Sequence, residues 1–177
     1  MLFLYIALGL VGALVVFILI AWVVGRSLPK QHQISATLTL SKATPEQVYD
    51  LCQNLAGWTN WAGVNKMTPL GQTDGHEHWR MQMGRNAMRC WWTRQQRPGT
   101  LEITVSDEKH KFFDGRWVYT IAPHAGGTRV QLVEHGTIHP AIPRFMARYL
   151  ADPAMYLKRH LRFVAKHFGD DPKAAVA

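Results

Sequence analysis

Cysteine is scarce: Cys52 and Cys90 are the only two among 177 residues, widely spaced and without a metal-ligand pattern. That leaves one disulfide or two free thiols, and no disulfide framework. Acidic residues are also few, 12 against 20 Lys and Arg, for a formal net charge of +8. Internal repeats, low-complexity stretches, Gly-rich phosphate loops and nucleophile motifs are missing, so no strong catalytic constellation stands in the sequence. Most telling is Leu2 to Val24, which has no charged residue and no proline.

A helix over that run reaches roughly 35 Å at ~1.5 Å per residue, enough for a hydrocarbon core of about 30 Å. Only a helix satisfies every backbone polar group of such a segment in lipid. Tyr5 and Trp22 lie near its ends, at headgroup level, and Arg26 and Lys30 follow it. A cleavable signal peptide wants a basic start, a shorter apolar region and a small-residue cleavage site. Gly25-Arg26-Ser27 is a poor match, so the reading is a retained single-pass anchor over residues 1–25. The positive-inside rule then puts the remaining chain in the cytoplasm, at a bacterial-type inner membrane, and favours free thiols. Residues 26–32 form a short juxtamembrane linker, 33–170 a domain, and 171–177 a frayed tail.

Ile34, Ala36, Leu38 and Leu40 alternate with polar residues, the period of a strand with one buried face. Thr44 suits a helix N-cap and Pro45 the first helical position, for a short helix to about Leu55 burying Val48, Leu51 and Cys52 or Leu55. A second short turn carries Trp58 and Trp61. Turn signals at Asp74-Gly75, Gly84-Arg85-Asn86, Pro98-Gly99 and Ala125-Gly126-Gly127 separate strands over 64–73, 76–83, 87–97, 100–106, 111–122 and 128–138. Their alternation predicts a sheet with one covered and one wetter face. Pro143 to Phe168 reads as the covering helix, with Leu157, Leu161, Val164 and Phe168 on its apolar side. Pro153 kinks or divides it, and Asp152 is positioned to cap the second half.

The order of one strand, two short helices, six strands and a long C-terminal helix, with Ala43-Thr44-Pro45-Glu46-Gln47-Val48-Tyr49, Trp58-Thr59-Asn60-Trp61, Gly115 to Pro123 and Gly127-Thr128-Arg129-Val130, resembles the START-like superfamily. Within it the chain is similar to the SRPBCC group of polyketide cyclases/dehydrases and lipid-transport proteins. The resemblance implies an α+β helix-grip fold: a curved antiparallel sheet of about seven strands around a long C-terminal helix, here behind one transmembrane helix. It also implies an apolar cavity for a lipid or other hydrophobic molecule. By strand and helix parity that cavity takes Trp79, Met81, Met83, Met88, Trp92, Trp117, Tyr119, Glu134, Leu157 and Leu161.

Neither a cofactor nor a metal is expected. His76 and His78 share a strand face but lack a third ligand, and solvated histidines are the plainer reading. Glu134 and His135 point to opposite faces, so Glu134 with Tyr119 is the pair to consider for acid–base work. Glu134 could also orient the polar end of a ligand. Arg26, Lys30, Lys158, Arg159, Arg162 and Lys166 are candidates for contact with anionic lipid headgroups, worth about 1 kcal/mol each near a surface. The group of Arg85, Arg89, Arg94 and Arg97 beside Trp91 and Trp92 is a weak match to a nucleic-acid surface. The expectation is a membrane-anchored domain that binds a hydrophobic molecule without catalysis. The alternatives are a cyclase, dehydratase or hydrolase of the same superfamily, or a partner-binding domain with a filled interior.

Overall fold

The computed structural model describes the chain except Met1, Arg85 and His110, and except the side chains of Leu2, Trp61, Ala174 and Ala175. Helix α1 (Leu2–Ser27) is an apolar rod with residues 3–20 all exposed, and its span Phe3–Ser27 is long and apolar enough to cross a membrane. It runs past the expected end at residue 25 and takes Arg26 into its last turn, where the guanidinium sits 4.7 Å from the Trp22 ring centroid. Strand β1 (Gln31–Leu40) begins early, so only Leu28 to Lys30 connect the two elements.

Helix α2 (Pro45–Gln53) starts where the sequence says it should. The Thr44 hydroxyl accepts the Gln47 N–H while the Gln47 side chain accepts the Thr44 N–H, a reciprocal capping box. Its buried residues are Val48, Tyr49 and Cys52; Leu51 is only half-buried. A 3-10 turn (Leu55–Gly57) and α3 (Trp58–Trp61) follow. Trp58 is buried, and the side chain of Trp61 lies outside the described ones.

Six more strands complete the sheet: β2 (Lys66–Thr73), β3 (His76–Met83), β4 (Asn86–Gln96), β5 (Thr100–Asp107), β6 (Phe113–His124) and β7 (Gly127–Ile138). The order is β1-β7-β6-β5-β4-β3-β2, antiparallel throughout. Asp74-Gly75 and Ala125-Gly126 each pair two positive φ values, 52° with 79° and 44° with 81°, the geometry of a tight hairpin turn that matches strand twist. The curved sheet closes around α5 (Met155–His167), whose Leu157, Leu161, Val164 and Ala165 are fully buried. This is the α+β helix-grip arrangement.

The C-terminal helix is divided at Pro153, as expected: α4 (Ala141–Tyr149) and α5 are separate, because Pro153 cannot continue the ladder, and Asp152 accepts the Ala154 N–H at 2.9 Å. Three other expectations need correction. Instead of covering the sheet, α4 lies along α1, with Phe17 and Phe145 edge to face at 5.9 Å between centroids. The tail is not frayed either. Asp171 caps α6 (Pro172–Ala175), Val176 packs on the core, and Ala177 exchanges backbone hydrogen bonds of 3.0 and 3.2 Å with Thr37. Last, His78 is buried, not solvated: its ring stacks on Trp91 at 4.5 Å on the outer face of the sheet.

Both cysteines are buried free thiols, and burial pushes each up to about 12. They are packing residues rather than thiolate nucleophiles.

Candidate functional site

A cavity of about 960 Å³ opens at one end of the sheet, near the upper end of the roughly 300–1,000 Å³ usual for small-molecule sites. That end is where β1 starts, β7 ends and α4 gives way to α5. Met81, Met83 and Met88 form one wall, Trp58, Ala62, Val64 and Phe163 the floor, and Ile34, Phe113 and Trp117 the side below β7. Leu28, Pro29 and Lys30, the residues that directly follow α1, complete the rim with Arg144, Arg148 and Arg159.

Besides the charged groups of the rim, two polar centres on β7 and α5 reach this space. The first is Glu134, 7% exposed on β7. It lies directly opposite Trp117 on β6 and Ile34 on β1, so all three share the inner face. Its carboxylate accepts the Trp117 indole N–H at 2.6 Å and stands 2.8 Å from His32 Nε2. The second is His160 on α5, whose Nε2 is 2.9 Å from the Tyr119 hydroxyl and whose ring lies 5.2 Å from that of Trp58. Burial lowers His160 to about 4, and burial, with Cys52 and Cys90 as lesser causes, raises Tyr119 well above its ordinary value. Both are therefore neutral at pH 7 and share a neutral hydrogen bond.

Of the ten residues expected around the cavity, Met81, Met83, Met88, Trp117 and Glu134 line it. Trp79, Trp92, Tyr119, Leu157 and Leu161 do not. Alternation picks out inward side chains, but the void occupies only one end of the inner face. Leu157, Leu161 and Tyr119 are wholly buried in the packed core. The Trp92 indole donates to the Gln53 carbonyl at 3.1 Å beneath the end of α2, and Trp79 packs on the core from β3. Glu134 and Tyr119 also fail to pair, since the register sets Tyr119 opposite Leu132 and Glu134 opposite Trp117.

The polar residues the sequence reading passed over are His160, His32 and Arg144. His160 had a signal: it stands three residues after Leu157 and four before Val164, on the apolar stripe of α5. Arg144 had none. Buried to 7% exposure, it donates Nε to the Gly25 carbonyl at 2.9 Å and Nη1 to those of Ile138 and His139 at 3.3 and 3.1 Å.

The basic surface candidates do not form one patch. Lys30 and Arg159 stand at the cavity rim, Lys158 is 3.5 Å from Asp152, Arg26 covers Trp22, and Arg162 and Lys166 are exposed. On and beside β4, Arg94 bonds Gln96 and Arg97 bonds Asp50, Arg89 is exposed, and Arg85 lies outside the described residues. The Trp91 ring stacks on His78, and the Trp92 indole N–H donates to the Gln53 carbonyl. Among the described residues no cluster of three metal-ligating side chains occurs.

Among solved structures, the Zhui aromatase/cyclase from Streptomyces sp. R1128 matches with a TM-score of 0.64 at 11% identity, over 78% of this chain and 93% of that one. A conserved protein from Geobacillus kaustophilus gives 0.60 at 13%, over 77% and 95%. The di-domain ARO/CYC StfQ from the steffimycin biosynthetic pathway gives 0.62 at 12% over 78% of this chain, which spans 50% of StfQ. At these identities the likeness is one of fold. No curated protein matches the chain. Residues 31–164 match the family described as polyketide cyclase/dehydrase and lipid transport, and the chain belongs to that family.

Proposed function

We propose that the domain holds a hydrophobic small molecule or lipid in the cavity while α1 anchors it in a membrane, on the side where Arg26 and Lys30 lie. The observation that carries this reading is the composition of the rim. Residues 28–30, which leave the apolar helix, also edge an apolar void of about 960 Å³. A molecule that partitions into the bilayer would thus meet the opening at the membrane surface. The methionines of the wall suit ligands of irregular shape, because their side chains adapt.

Native mass spectrometry of the full-length chain released from detergent tests the proposal. A retained hydrophobic adduct is expected, and Met83→Trp, which fills the wall, should lose it. A chain that carries no adduct from any membrane extract would contradict it.

One observation favours a second reading, an acid–base enzyme of the cyclase or dehydratase kind: Glu134 and the neutral His160 both reach the same cavity. That arrangement could accept a proton from a ligand at one point and hold a polar group at another. A Glu134→Gln chain that accumulates a different bound molecule from the wild type would favour this reading. The same adduct in both would favour binding alone.

A further inference from the structure

We infer that the ligand is an anionic amphiphile, its acidic head paired with Arg144 at the rim and its tail laid against the methionine wall. This rests on the ligand-holding reading above. Arg144 is buried and carries a guanidinium cation. Among the described residues no carboxylate lies within salt-bridge reach of it. Three backbone carbonyls take Nε and Nη1, and Nη2 has no protein acceptor among the described residues. A buried guanidinium compensated only by carbonyl dipoles is short of a counter-charge. Its planar fork fits a carboxylate or phosphate.

The surroundings agree in sign. Arg148, one turn along α4, joins Lys30 and Arg159 at the same rim. The two acids that touch the cavity are engaged elsewhere: Asp152 caps Ala154 and faces Lys158, and Glu134 is held by Trp117 and His32. An acidic head would therefore meet cations at the rim, while Met81, Met83 and Phe163 receive the chain below.

The test uses the full-length chain in a nonionic detergent, with a brominated stearic acid and its methyl ester as probes. Bromine quenches the emission of Trp58 and Trp117, which line the cavity. At neutral pH the acid should bind about tenfold tighter than the ester, as one charge-assisted contact would give. Arg144→Gln should bring the two within about threefold. Because that change also removes the bond to Gly25, the rim pair Arg148→Gln with Arg159→Gln serves as a second variant, expected to lower the preference by about threefold. Equal binding of acid and ester overturns the inference and leaves the ligand-holding reading standing, whereas binding of neither overturns both. Inorganic phosphate that displaces the acid at comparable concentration would mark a free-anion site, and would also overturn it.

Discussion

At one end of the sheet Leu38, Tyr119, Leu132 and Leu161 meet with no exposure at all, while on the same strands and helix Ile34, Trp117, Glu134 and His160 stand around an open cavity. Both sets point inward with the same alternation. What differs is the cover. At the closed end α2 lays Val48 and Cys52 on the sheet, held at its start by the Thr44–Gln47 box. At the open end the element that could have done the same, α4, is turned onto α1 and only roofs the rim. The break before Pro153 permits that turn. Arg144 and a close approach at Gly25, where a Cβ would collide with the Ala141 carbonyl, hold it. The lesson is that a void comes from where a covering helix goes, not from which side chains face inward.

The largest effect that sharpens this contrast belongs to the closed end. Leu161→Ala should destabilise the full-length chain by about 2–5 kcal/mol, the usual range for a large cavity in a packed core. Chemical denaturation in detergent micelles reads it out, and a loss below about 1 kcal/mol would mean the closed end is not packed.

Acid stability comes next. His160 is held near 4 when folded and titrates near 6.5 when unfolded, so between those values the unfolded chain binds the extra proton. Stability is complete above pH 6.5 and falls as pH drops toward 4, by on the order of 3 kcal/mol for this group. His160→Gln should flatten the profile in that window. Asp107 does not interfere: burial raises it, but N–H groups of Phe113, Phe112, Lys109 and Lys111 outweigh that and hold it at about 2, so its contribution fades only below its ordinary 3.8.

Glu134→Leu should cost about 1–3 kcal/mol, because it strands the buried Trp117 indole N–H. Glu134→Gln keeps an acceptor there and should cost less than half as much, as thermal unfolding of the two variants would show. The smallest effect is expected at the open end. Met83→Ala removes atoms that already face a void, and its cost should stay below about 1 kcal/mol while ligand retention falls. A loss as large as that of Leu161→Ala would erase the distinction between the two ends.

Much of this was readable beforehand, for local reasons. The Thr44-Pro45 start of α2, the Asp74-Gly75 turn and the strand parities are set by neighbours in sequence, and each appears within a residue or two. The unread features are long-range. Arg144 and Gly25 are 119 residues apart, and Val176 and Ala177 are tied down by β1 rather than by anything near them. The cavity residues were half legible because parity names a face but not a position along it. Trp79 and Met81 share a face of β3, yet only Met81 reaches the void. The pairing of Glu134 with Trp117 rather than Tyr119 needed the β6–β7 register, which no local signal supplies.

Photo-crosslinking tests the central claim most directly, with a diazirine-bearing fatty acid and the full-length chain in lipid nanodiscs. The account predicts label on the peptides that carry Met81 to Met88 and Met155 to Phe163, lost when Met83→Trp fills the wall. Label confined to the lipid-accessible residues of α1, unchanged by Met83→Trp, would contradict it.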